Sequence, residues 1–162
     1  MMNKWLCLIG IFLFVGTSGS DETKVFKIGF TRDILTLNPY SLMGYVDNFL
    51  AQRVFGSLLV PDAQTFELHP YLAESWTWSK DRKKVVFNLN KKAMWSDGTP
   101  VTADDVVFTY NSVTNPDYKP SVTNLIGRYK SVRALNSHQV ELEFKKPGFI
   151  ELLHFANYMM IR

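Results

Sequence analysis

Apolar positions along the chain follow two rhythms, an alternation of two that marks strands and a period between three and four that marks helices. Lys24-Val25-Phe26-Lys27-Ile28-Gly29-Phe30 places Phe26, Ile28 and Phe30 on one face and predicts a first strand. Thr36-Leu37-Asn38-Pro39-Tyr40 predicts an extended turn, because Pro39 drives Asn38 out of the helical region. From Tyr45 the period lengthens. Val46, Phe49, Leu50 and Val54 form a helical stripe with Asp47, Gln52 and Arg53 outside it, and Gly56 is the stop signal. A short strand at Leu58 to Val60 follows, closed by a Pro61-Asp62 turn.

The block from Phe66 to Trp78, the charged run Lys80-Asp81-Arg82-Lys83 and the alternating Val85-Val86-Phe87-Asn88-Leu89-Asn90 predict two strands around a charged turn. Val85, Phe87 and Leu89 share the inward face. Between Trp95 and Phe108 the sequence specifies a junction: a buried Trp95, turn residues Ser96-Asp97-Gly98, Pro100 stiffening the re-entry, and Thr102 as N-cap. Asp105 completes a short-armed capping box, and Asp104 with Asp105 opposes the positive end of the helix dipole. The helix runs from about Ala103 to Val113, with Val106, Val107, Tyr110 and Val113 on one side, and stops before Asn115-Pro116. Ser131 to Leu135 and Val140 to Phe144, around Asn136-Ser137, predict a second hairpin, and Phe149 begins a last helix. The pattern is mixed α/β (α+β).

Composition changes this picture at the N-terminus. Lys4, the apolar run Trp5 to Val15 and the small residues Ser18-Gly19-Ser20 predict a cleaved signal peptide over 1–20, leaving 21–162 as the mature domain. The run, about eleven residues, is too short for the roughly 20 that span a bilayer. Cys7, the sole cysteine, lies within it, so the mature chain has no disulfide, thiol nucleophile or thiolate metal site. The net charge of +3 in 162 residues falls by one with Lys4, and the basic residues are scattered rather than striped, a pattern that does not point to nucleic acid.

No constellation for catalysis stands out. Asp97, Asp104 and Asp105 are explained by turn and cap formation, and adjacent helix residues point about 100° apart. His69, His138 and His154 lie in separate segments without metal-ligand spacing. There is no nucleophile elbow and no glycine-rich phosphate loop. Trp76, Trp78 and Trp95 are of a type that stacks sugars, but their place beside strands makes core packing the default.

Pro70-Tyr71-Leu72-Ala73-Glu74-Ser75-Trp76, the strand Val85 to Leu89 and the Trp95–Phe108 junction together resemble the family 5 extracellular solute-binding proteins, the oligopeptide-, dipeptide- and nickel-binding components of ABC importers. Leu37-Asn38-Pro39 and Leu58-Leu59-Val60 agree in order and spacing. The resemblance implies the first-lobe portion of a two-lobed periplasmic-binding-protein clamp, incomplete here. Members of the family are several times longer, and the apolar end Tyr158-Met159-Met160-Ile161-Arg162, without cap or polar tail, adds the expectation of truncation. By the same resemblance the ligand is reached by the loop Met43-Gly44-Tyr45, where some relatives carry an acidic residue in place of Met43, and by Tyr118 after the motif helix. No metal, cofactor or catalytic residue is implied.

The expected function is therefore capture of a peptide or related small solute in the periplasm or outside the cell, and delivery to an ABC permease. The chain alone, lacking the opposite wall, is expected to bind weakly or not at all. A second expectation, from another class, is a small secreted interaction module that reuses this half-lobe and buries its open edge in a partner or a second copy.

Overall fold

The computed structural model describes residues 25–41, 44–115, 117, 127–146 and 148–157. The predicted signal peptide, Met43 and Tyr118 lie outside them. The described elements are, in order, helix α1 (Tyr45–Val54), strands β1 (Leu59–Pro61), β2 (Leu68–Pro70), β3 (Ala73–Trp78) and β4 (Lys84–Leu89), helix α2 (Ala103–Thr114), strands β5 (Tyr129–Asn136) and β6 (Gln139–Phe144), and helix α3 (Phe149–Ala156).

Two hairpins, β3–β4 and β5–β6, join into one antiparallel sheet in the order β3-β4-β6-β5, with β1–β2 as a separate ribbon. The predicted alternation sets the register. Phe87 faces Val140 and Val85 faces Leu142 across the central pair, and all four are fully buried. Helices α2 and α3 cover this face. Phe155 of α3 lies 6.0 Å from Phe87 and 5.2 Å from Tyr129, centroid to centroid, while Tyr110 of α2 meets Tyr129 edge-on at 6.2 Å. Burial there pushes the Tyr110 hydroxyl's pKa up. Each large side chain so enclosed contributes about 1.5–3 kcal/mol, which is how the β-branched α2, weak by propensity, is held.

The Trp95–Phe108 junction forms as its sequence predicts, with Asp105 at its centre. One carboxylate oxygen of Asp105 accepts from the Thr102 amide at 2.7 Å, the Thr102 hydroxyl at 3.0 Å and the Trp95 indole N–H at 3.3 Å. Asp97 closes the preceding turn by accepting from the amide and hydroxyl of Thr99, and Gly98 takes φ 82°, the left-handed conformation for which glycine is suited. Trp95 is half-buried rather than buried. Its indole N–H reaches Asp105 near the surface, and that contact holds the ring partly in water.

Other expectations are corrected. Of the predicted first strand, Lys24 lies outside the described residues, and over 25–30 the chain forms no ladder with any described strand, with Phe26 83% exposed. Alternation supplies a face but not the neighbouring edge a strand requires. The Phe66–Trp78 block is broken, because the amides of Tyr71, Leu72 and Ala73 turn back to the carbonyls of Leu58 and Ser57. Leu68–Pro70 therefore pairs with β1, and only Ala73–Trp78 joins the large sheet. On α1, Val54 is exposed while Asp47, assigned outside the stripe, is fully buried.

The outer face of the sheet is charged. Glu141 bridges Lys84 at 3.3 Å and Arg133 at 2.7 Å, and Glu143 bridges Lys130 at 2.7 Å. Lys130 holds the Glu143 carboxyl below its ordinary pKa. Hydrogen bonds do the same in two turns, chiefly from the Ser79 hydroxyl for Asp81 and from the Thr65 amide for Asp62.

Two outcomes follow from these contacts. Asp105→Ala leaves the first turn of α2 and the Trp95 indole without their shared acceptor, and denaturant melts should show a loss of about 2 kcal/mol. Because the three shifted carboxyls have depressed folded-state values, the folded protein binds fewer protons than the unfolded chain. Their stabilisation is present at neutral pH and is lost as pH falls through the carboxylate range, below about 4. Thermal melts from neutral to acid pH should show this decline, and Glu143→Gln should flatten it slightly, since the group is exposed.

Candidate functional site

The approach to α1 is built from local hydrogen bonds. Around Pro39 the Asn38 amide donates to the Thr36 hydroxyl at 3.0 Å, and the Asn38 side chain accepts from the Tyr40 amide at 3.0 Å. This turn buries Tyr40 to 1% exposure. Gly44 then caps α1 with extended backbone and accepts the first helical bond from the Asn48 amide. Asp47, one turn into the helix, is buried beneath the incoming chain. Its carboxylate accepts from Arg32 at 2.9 Å and from the Leu35 amide at 3.0 Å. Arg32 is thereby drawn across Gly44, where an added Cβ would overlap its guanidinium. A larger residue here would have to push aside the Arg32 guanidinium, the flexible end of its side chain.

Beside Gly44 opens a cavity of about 790 Å³ between α1, the β1–β2 ribbon and the end of α3. Helix α1 contributes Asn48 and Gln52, which share a hydrogen bond of 3.3 Å from the Gln52 amide to the Asn48 carbonyl. From the ribbon come Val60, Pro61 and Phe66, the last with φ 59°. A non-glycine residue in this left-handed region is strained. Tyr40, Tyr71, His154 and Asn157 complete much of the rim. Among the described residues the lining contains no Lys, Arg, Asp or Glu. Amide and aromatic groups of this kind suit a polar, uncharged portion of a ligand.

Of the four residues the resemblance implied, Gly44 lines this cavity. Tyr45 is adjacent and 74% exposed, with its ring 6.1 Å from Phe49, and does not line it. Met43 and Tyr118 lie outside the described residues. Sequence reasoning missed Asn48 and Gln52 of α1, Phe66 of the turn between β1 and β2, and His154 of α3, three parts of the chain far apart in sequence. The polar Asn48-to-Gln52 spacing, one helical turn, was the only local signal. Among the described residues no group of three or more His, Cys, Asp or Glu is placed to hold a metal ion, and no helix is long and apolar enough to cross a membrane.

Comparison with known proteins gives a consistent result. Residues 67–161 match the family described as bacterial extracellular solute-binding proteins, family 5 Middle. A protein of Brucella melitensis named as a binding protein is 31% identical over 128 residues, which is 74% of this chain and 21% of that protein. The periplasmic oligopeptide-binding protein OppA of Escherichia coli is 38% identical over 85 residues, 52% of this chain and 15% of OppA. In structure, NikZ of Campylobacter jejuni, solved in complex with Ni(L-His), superposes with a TM-score of 0.69 at 29% identity, over 80% of this chain and 26% of NikZ. The chain thus spans about a fifth of the length of the first curated relatives it matches.

Gly44→Ala tests the geometry at the cavity edge. The methyl group should displace Arg32 and leave the buried Asp47 carboxylate short of its cation, lowering stability by about 2 kcal/mol after allowance for Arg32's partial exposure. Limited proteolysis should then show faster cleavage within 25–37.

Proposed function

The chain belongs to the bacterial extracellular solute-binding proteins of family 5, and from that premise we propose that it forms one wall of a clamp that captures a peptide or related small solute outside the cytoplasm for import. The family match carries the reading, because it runs from β2 through the last residue of α3 and so takes in the whole sheet and its two covering helices. OppA is named for oligopeptide binding, and the cavity beside Gly44 has the uncharged amide and aromatic lining that a peptide backbone would meet.

In this reading the solute lies against the Gly44 end of α1, with the opposite wall supplied by sequence equivalent to the remainder of the longer relatives. Closure of two walls removes water from the solute and gives each hydrogen bond more weight. No bond in the solute is made or broken. In this reading an ABC permease in the membrane receives the loaded clamp, and the signal peptide predicted over 1–20 supports a periplasmic or secreted location for the mature protein. Met43 and Tyr118 would join Gly44 and Tyr45 around the ligand.

A second reading, the secreted interaction module, is favoured by one observation. Phe26, Ile28 and Phe30, the alternating apolar face of the run at 25–30, are 83%, 52% and 37% exposed, and such a run is suited to adding itself to another sheet edge.

Calorimetry distinguishes the two. The purified chain should give no saturable heat with aliphatic tri- to pentapeptides, whereas the same residues spliced into E. coli OppA in place of the matched segment should restore peptide binding. Micromolar binding by the chain alone, or a cooperatively melting chimera that binds nothing, would overturn the clamp reading. A defined dimer by light scattering would favour the module.

A further inference from the structure

We propose that a second groove, between β2, β3 and the start of α3, is a binding site for a small aromatic zwitterion such as an aromatic amino acid or dipeptide. The groove encloses about 540 Å³ and shares no lining residue with the cavity at Gly44. Trp76, Trp78 and Phe149 form its sides, with Leu152 buried at its base.

The aromatic surfaces are fixed before any ligand arrives. Trp76 is held in cross-strand register with Phe87 and Trp78 with Val85. Trp78 also stacks on Phe144 at 5.3 Å with ring planes 22° apart. Both indoles stay only half-buried, since β3 is the edge strand and α3 covers the sheet beyond it. Phe149 stands 54% exposed on the facing side. An aromatic ring entering here meets faces and edges at the offset geometries such rings prefer.

Two opposite charges line the same groove, Glu67 and Arg82. No ion pair between them, or from either to another described residue, occurs within 4.0 Å. Each is carried on a turn pinned by hydrogen bonds. The Glu67 carbonyl accepts from the Asp62 amide at 2.8 Å, and the Arg82 amide donates to Ser79 at 3.0 Å. Arg82 has φ 54°, a strained conformation that the Ser79–Asp81 turn maintains. An unpaired carboxylate and guanidinium on one aromatic-lined groove complement an ammonium and a carboxylate on a ring-bearing solute. A neutral sugar would use the rings but leave both charges uncompensated.

The test is a titration of the full chain with the dipeptide Phe-Phe, followed by tryptophan emission. Saturable quenching is expected, with affinity reduced about tenfold by Glu67→Gln and by Arg82→Gln separately, and by blocking both ends of the dipeptide. Gln52→Ala, in the other cavity, should leave the titration unchanged. Both groove variants replace exposed side chains, and near-ultraviolet circular dichroism checks that they keep the fold. The proposal is overturned by absence of saturation up to about 10 mM, by equal binding of the blocked dipeptide, by a loss in Gln52→Ala alone, or by saturation with N-acetylglucosamine but not Phe-Phe.

Discussion

The pairing of β4 with β6 is the constraint on which the rest depends. It joins two hairpins that are separate in sequence and puts Val85, Phe87 and Leu89 in one plane with Val140, Leu142 and Phe144. A slip by one residue would turn one of the two apolar rows outward and bring that strand's charged residues beneath the helices. The outer ladder of Lys84, Glu141, Glu143 and Arg133 is in register only in the observed pairing. Each of these exposed ion pairs is worth little alone. Their use is to penalise the wrong alignment, while burial on the other face favours the right one.

From that sheet outward, what could be read in the sequence follows the range of the interactions involved. The β3–β4 and β5–β6 hairpins and the capped start of α2 were legible because each is specified within a dozen residues. Asp105 shows how far local reasoning reaches: its bond to Thr102 follows from spacing alone, but its bond to the Trp95 indole depends on how the turn at Gly98 folds back. Asp47 shows where it stops. A carboxylate on a helix reads as solvent-facing until a cation from fifteen residues earlier covers it, and nothing local announces Arg32 as that cation. The break between β2 and β3 is of the same kind, set by Leu58 and Ser57 carbonyls from an earlier segment.

The resemblance singled out Gly44 as a ligand position, and the structure adds a packing role at the same glycine. Its missing side chain is space for the Arg32 guanidinium. The glycine, the buried aspartate and the arginine therefore form a unit that fixes where the incoming chain meets α1, and the cavity edge is set by that unit. Beyond Asn48, Gln52 and the chain next to α1, the lining comes from the ribbon and from α3, whose mutual position no sequence pattern in either element encodes.

The interleaved strand order also bears on how the chain comes into being. The β3–β4 hairpin is finished well before β6, its central neighbour, since Phe87 waits for Val140 about fifty residues later, a delay of several seconds at ordinary synthesis rates. For that interval an apolar face and an unpaired edge are uncovered, and α2 alone cannot shield them because it leans mainly on β5. A nascent chain in this condition is a natural client for a holdase, and one kept from closing early is also one that can still be threaded through a narrow channel.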